Sequence, residues 1–509
     1  MNFSRAAAIA AAFLMLTISA YGLDLRVNGT SVVSPAVNRA ELHRSHYTET
    51  AAGEVRIVSG VTLGETFPLF YDVYRIDIET VDSRSTLVDD WLADHLFDSI
   101  LFVDRGEWSL WFDGQLFTEV LSVSVFGTPL ESEELEIWLG WEGTDLIGAE
   151  AERFAELHGI DLTVVVVPNT RSKLVAVSRA GGVPADVVMI QSDFLADLVE
   201  NDALQPVDST VSATAVEKGR AAFAYADRIW AQPFYFDSHL LFFNPELLPE
   251  ASASPWTLAD MEAACAAVIS AGSSTRNTAT LPIAWNAYSA YWLTPFALGF
   301  GKNRIVGDQG YVVVDDQPTR DALNYILHLR ERGYLEVMER DAMTAYFTSG
   351  RVAMILSGSY AIPQFERLGI AFGVRPYPAV PGSDRHVVPF LDFKGLAVPH
   401  RARHPVLARR LIQHLSTPAV QAELALSLRK MPAERPAWEM IRESHPHFDV
   451  MEYSYEIGTP VPSERAYTVY KSLMWRLLRF VFTDQMTTEE VLRTGDDLLR
   501  NSALQTSTP

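Results

Sequence analysis

Phe347-Thr-Ser-Gly-Arg-Val-Ala-Met-Ile-Leu-Ser-Gly-Ser-Tyr360 is the stretch on which the fold turns. Ser349-Gly350 makes a polar turn, and the apolar run Val352–Leu356 reads as a short buried strand. Ser357-Gly358-Ser359 closes it, so Tyr360 falls where a strand ends and a helix begins. In open α/β sheets that edge is where ligands bind.

The same alternation recurs upstream. Leu135–Leu139 is a short strand, Thr144 suits the N-cap of a helix running to His158, and Gly159 ends it. Asp161–Val167 is an almost continuous β-branched run, which predicts a strand buried on both faces of a parallel sheet. Ser172–Ala180 reads as helix, Gly181-Gly182 as its stop, and Asp186–Ile190 as a third strand. This order predicts a right-handed, parallel α/β layer. Gln232–Asn244 alternates aromatic and polar residues, helices recur from Thr257 onward, and Asn501–Pro509 reads as a frayed tail.

A chain of 509 residues is too long for one core and divides into two to four domains. Its formal charge of −23 argues against a nucleic-acid partner, because phosphate neutralisation needs clustered Lys and Arg. It equally disfavours docking on anionic lipid; a solvated acidic surface is the simplest reading. The first 22 residues read as an export signal: Arg5, the apolar run Ala6–Ser19, then Ala20-Tyr21-Gly22 as a small-x-small cleavage site. Cys265 is the only cysteine, which excludes an internal disulfide, a cysteine-based zinc site and a lipid-anchoring cysteine after the signal. An exported, unlipidated protein implies a periplasm.

Residues 23–130 differ in texture. Leu25–Val33 alternates around a turn, Glu54–Leu63 is strand-rich, and Trp108–Gln115 reads as a hairpin with Asp113-Gly114 at its turn. With one helix expected near Leu87–Ile100, this is a small accessory α+β domain of unknown role. Its VNG…GVTLGETF…FDGQ pattern resembles the small domains of sulfite-oxidase relatives; those enzymes hold molybdenum through a cysteine, and this segment has none, so no cofactor is assigned.

From Glu136 onward several motifs agree in order. Glu136-Ile-Trp-Leu-Gly-Trp-Glu142, Gly182–Asp193, Phe236–Leu248 with Phe243-Asn244, Trp256–Met261, the stretch 347–360 and Phe393–Val398 together resemble family 1 extracellular solute-binding proteins, the maltose-binding-like receptors of ABC importers. The resemblance covers about residues 133–505. It implies a type II periplasmic-binding-protein fold: two α/β lobes around a cleft, preceded by the small N-terminal domain. Lobe 1 would comprise 133–237 and 389–436, and lobe 2 238–388 and 437–505. The chain would cross between them near Phe236–Leu241 and return near Arg375–Val388.

The implied activity is capture of a small solute and delivery to ABC permease subunits. Sugar sites combine flat aromatics with charged or amide hydrogen-bond partners. Matching positions are Trp141, Glu142, Gln191, Asp193, Asp237, Asn286, Tyr288, Tyr291, Trp292 and Tyr360. Asp193 equally suits an N-cap for Phe194–Glu200, Asp237 a hinge hydrogen bond, and His239, Trp138 and Trp475 a structural role, the last unless its helix borders the cleft. Gly143 and Phe194 stand where the maltose receptor carries a lysine and an arginine, so maltose itself is not assigned. A sugar or oligosaccharide leads; a polyol, or a polyamine held by cation–π contact, also suits the residues. No metal or catalytic residue is expected. The alternatives are a ligand-sensing subunit for a membrane kinase and, less favoured, an exported glycoside-acting enzyme.

Overall fold

A computed structural model describes residues 23–38, 44–49, 55–89, 92–130, 134–208, 211–248, 256–272 and 280–506. The expected export signal lies outside them. One strand organises the rest. Gln232–Phe243 is rich in aromatic and aliphatic residues, and all twelve of its positions are buried. Its first half pairs with Phe390–Ala397, ending at Ser238 opposite Leu391. Its second half pairs with Val352–Gly358, beginning at His239 opposite Gly358. A single strand thus belongs to both lobes, and one eleven-stranded sheet runs through the molecule.

Around the first half lie the parallel strands Glu134–Leu139, Asp161–Val166 and Val187–Gln191. Around the second half lie Val352–Gly358, Leu281–Trp285 and Leu335–Val337, again parallel. The α/β alternation is as expected, with one correction. Asp161–Val166 ends the sheet, and its side chains are exposed or half-buried. A β-branched run fits a pleated surface whether or not a neighbour covers its outer side. The strand Val352–Gly358 is buried throughout, and Ser359–Ala361 forms one tight turn before the helix Ile362–Arg367. The helix Leu258–Gly272 starts at a capping box in which Thr257 and Asp260 exchange hydrogen bonds. Most of the expected frayed tail is helix: Thr488–Thr506 continues to Thr506 because Leu499 and Ala503 keep it on the core, and the last three residues lie outside those described.

The N-terminal region folds as two five-stranded sheets around Leu25, Val61, Phe70, Ile76, Leu110 and Val123. Asn28-Gly29 and Asp113-Gly114 both have positive φ, as two-residue hairpin turns demand. The expected helix near Leu87–Ile100 is a single turn, Leu92–His95, so the region is dominated by sheet.

This domain is fastened to the first lobe. Phe97 and Leu69 enter that lobe's apolar core beside Phe154 and Leu407. Arg44 pairs with Glu150 on the helix Thr144–His158, and His414 on the helix Pro405–Leu415 contacts the same carboxylate. Burial would raise the Glu150 carboxyl, but His414 and Arg44 outweigh it and hold it at about 2. Arg410 donates to the carbonyls of Phe70 and Ala93 and to Asp94.

Candidate functional site

The two lobes meet around a cavity of about 800 Å³. Glu142, Gly143, Ser427 and Leu428 line one side; Arg340, Thr344, Ser357, Tyr360, Gln364 and Arg367 line the other. Glu142 reaches it because the chain turns sharply at the end of the strand Glu134–Leu139. Trp141 and Gly143 both take positive φ, 62° and 81°. For tryptophan that conformation is strained, as residues at ligand-binding loops often are. Tyr360 projects from the turn after Val352–Gly358, its ring lying against Gly358, where any Cβ would come within 2.2 Å of it.

Beneath the cavity a chain of charges marks the crossing strand. Lys430 Nζ donates to both Asp237 oxygens at 2.7 and 2.8 Å and approaches Glu142 at 3.4 Å. Ser359 Oγ donates to Asp237 at 2.7 Å. Lys394 lies 3.7 Å from Asp237 and 2.8 Å from Asp392, which accepts a bond from Gln191. Burial alone would raise the Asp237 carboxyl; Lys430 and Lys394 outweigh it and hold it below its ordinary value. Burial likewise would lower the Lys394 ammonium, but Asp392 and Asp237 keep it raised.

Further along, Asp193 accepts from Lys471 at 2.7 Å, while its other oxygen has no hydrogen-bond partner among the described residues. The Tyr291 phenol lies within the electrostatic reach of Asp392, Tyr360 and Asp193, and burial raises it far above its ordinary value.

A family model for bacterial extracellular solute-binding proteins matches residues 149–434. This chain belongs to that family. The solute-binding protein is 20% identical over 288 residues to a maltotriose-binding protein of Pyrococcus abyssi, a match covering 55% of this chain. It spans only 61% of that relative's length. Among solved structures it superposes on the maltotriose-binding protein of Thermus thermophilus, bound with maltotriose, with a TM-score of 0.62 at 19% identity, covering 72% of this chain and 99% of that one. The sugar-binding protein of Xanthomonas citri gives 0.65 at 19% identity, covering 73% and 98%. These likenesses show the two-lobed fold.

Of the ten candidate residues, Glu142 and Tyr360 line the cavity; Gln191, Asp193, Asp237 and Tyr291 are linked to one another or to Tyr360 through Asp392 and Ser359 without lining it. The other four lie elsewhere. Trp141 packs on the first lobe's core. Trp292 is buried and stacks on His239 at 4.3 Å. Asn286 donates to Glu339, and Tyr288 packs on Phe482 under the guanidinium of Arg479. His239 is buried and held neutral, its value lowered to about 3 by burial. Trp138 is core.

Lys394, Lys430 and Lys471 were not legible as site residues. Lys430 and Lys471 sit in unremarkable stretches and Lys394 in the motif Phe393–Val398; each acquires its role from a carboxylate between 2 and 278 residues away in the chain. Trp475 departs from its expected core role: it is 43% exposed, on the helix whose Lys471 reaches Asp193, with Arg479 stacked on its ring.

Proposed function

We propose that this protein captures a neutral sugar or oligosaccharide in the interlobe cleft and delivers it to an ABC importer. The observation that carries the reading is a cavity shared by the two lobes, with Tyr360 on one side and Glu142 on the other. An aromatic face and hydrogen-bonding carboxylates are what a polyhydroxylated ring requires. Charge balance favours a neutral guest over a polyamine. Asp193, Asp237, Asp392, Glu339 and Glu366 are each paired within the protein, with Lys471, Lys430, Lys394, Arg479 and Arg429. The carboxylates that line the cavity itself, Glu142 and Asp341, are matched there by Arg340 and Arg367, so a cationic ligand would meet no excess of negative charge. The two relatives from Pyrococcus abyssi and Thermus thermophilus, both maltotriose-binding by name, point to the same class.

A ligand that touches both lobes stabilises their closed arrangement by its differential affinity for that state. Micromolar binding supplies about −8 kcal/mol, enough to move a bias of a few kcal/mol. We assign 133–237 with 389–436 to one lobe and 238–388 with 437–505 to the other, and the protein to the periplasm, free of lipid. The protein carries out no reaction in this reading. One observation favours a second reading, a ligand-sensing subunit for a membrane kinase: the accessory domain is fixed to one lobe through Arg44 and Glu150, so lobe movement would carry it along.

A thermal-shift screen against sugars, polyols and polyamines tests the proposal, since a bound ligand raises the melting temperature by mass action. A sugar should raise it in the wild type and leave Tyr360→Ala unmoved. A response to polyamines alone would overturn the assignment of a neutral guest.

A further inference from the structure

The ion pairs that join one lobe to the other include two beside the cleft. Lys471 stands on the helix Arg465–Phe482, held in the second lobe by the contact of Tyr470 with Thr294 at 3.1 Å. Asp193 follows the strand Val187–Gln191 of the first lobe. Their 2.7 Å bond therefore joins one lobe to the other. Arg429 Nε, at the end of the first-lobe helix Pro418–Leu428, donates to both oxygens of Glu366 on the second-lobe helix Ile362–Arg367 at 3.0 and 3.1 Å.

The two pairs differ in surroundings. Arg429 and Glu366 are about one-third exposed, and salt screens such a pair well. The Asp193 side chain is 5% exposed and Lys471 24%. Water and counter-ions reach that pair poorly, so its attraction is weakened less. Opening the cleft must separate both pairs at once.

We infer that Lys471 is a ligand surrogate: its bond to Asp193 holds the lobes closed when the cleft is empty. Closure by a guest is the usual driving force in a two-lobed receptor. Here part of that force is built into the chain. The other Asp193 oxygen is buried and has no hydrogen-bond partner among the described residues, so Lys471 supplies the ionic contact of this carboxylate. The consequence is kinetic: solute enters only when the pair breaks, and Lys471 sets how often that happens.

The inference rests on the two-lobed fold and not on which solute binds, so the empty protein tests it. The full chain, refolded from denaturant to strip any carried solute, is measured by small-angle X-ray scattering. The wild type should give the profile of the closed structure with no ligand added. Lys471→Met should shift the open-to-closed ratio about tenfold toward open, roughly 1.4 kcal/mol, and expand the particle. Lys471→Arg keeps the charge and should stay compact. High salt should expand the wild type less than it expands Lys471→Met, because the shielded pair resists screening while the Arg429–Glu366 pair that remains in the variant does not. Circular dichroism of each variant separates lobe opening from unfolding; if Lys471→Met unfolds, Asp193→Asn gives the same comparison. An open wild type, or a folded Lys471→Met as compact as the wild type, overturns the inference. Failure of every sugar to bind would overturn the proposed function instead and leave this result standing.

Discussion

Lys430→Met is the most informative single change, because it breaks the charge chain at the crossing strand without altering any apolar contact of the lobes. Lys430 and Asp237 side chains are 0% and 2% exposed, and both Asp237 oxygens bond the ammonium. Removing one member of a buried pair costs about 3–5 kcal/mol, since the other charge stays buried and uncompensated. Lys394 at 3.7 Å and Ser359 remain beside Asp237, so the lower figure applies, about 3 kcal/mol. In a lobe of 150–250 residues that corresponds to a melting temperature lower by roughly 6–12 °C. The pH dependence distinguishes this cause from a packing defect. In the wild type Asp237 is held below its ordinary value, so its stabilisation is present above the unfolded-state value and lost as pH falls through the folded one. In the variant, burial dominates and raises the carboxyl. The unfolded state then ionises first, and the deficit grows from about pH 4 upward. Thermal scans from pH 4 to 8 should show the two proteins converging at the acid end. The double variant Asp237→Asn with Lys430→Met should recover part of the loss. A deficit below about 1 kcal/mol, or one that does not change with pH, would refute this account of the hinge charges.

Gly358→Ala should cost about 1 kcal/mol of stability from overpacking and displace the Tyr360 ring, which would lie 2.2 Å from the new Cβ. The ligand-induced thermal shift should shrink well beyond what that loss explains. Arg44→Met leaves Glu150 buried with His414 and with Arg153 at 3.8 Å, and should weaken domain attachment by about 3 kcal/mol. Hydrogen exchange should then quicken in the strands Arg44–Glu49 and Val55–Thr62, while the sheet under the cleft keeps its protection.

Local chemistry made much of the fold readable. The Asp113-Gly114 hairpin, the helix start at Thr257, and the strand before Tyr360 each depend on neighbours within a few positions. The exposed outer side of Asp161–Val166 was not readable, because nothing in a β-branched run states whether another strand lies beyond it. The site divides in the same way. Glu142 and Tyr360 follow from strand ends, where position in the chain fixes position in space. The fully bonded environment of Asp237 depends on Lys430, 193 residues further on, and no local pattern encodes that meeting. Asn286 and Tyr288 share a segment with Tyr291 but turn toward Glu339 and Phe482, a choice made by packing rather than by spacing.

The fastening of the N-terminal sheets has a topographic result. Helices Thr144–His158 and Pro405–Leu415, which would otherwise form an outer wall of the first lobe, carry the added domain through Glu150, His414 and Arg410. A membrane protein approaching from that quarter meets β-structure beside the helices, where one edge of the first, at Asp145, Leu146, Glu152 and Glu156, stays exposed. Any complementary partner must have been shaped to that overlay, or must grip the lobe by a different flank.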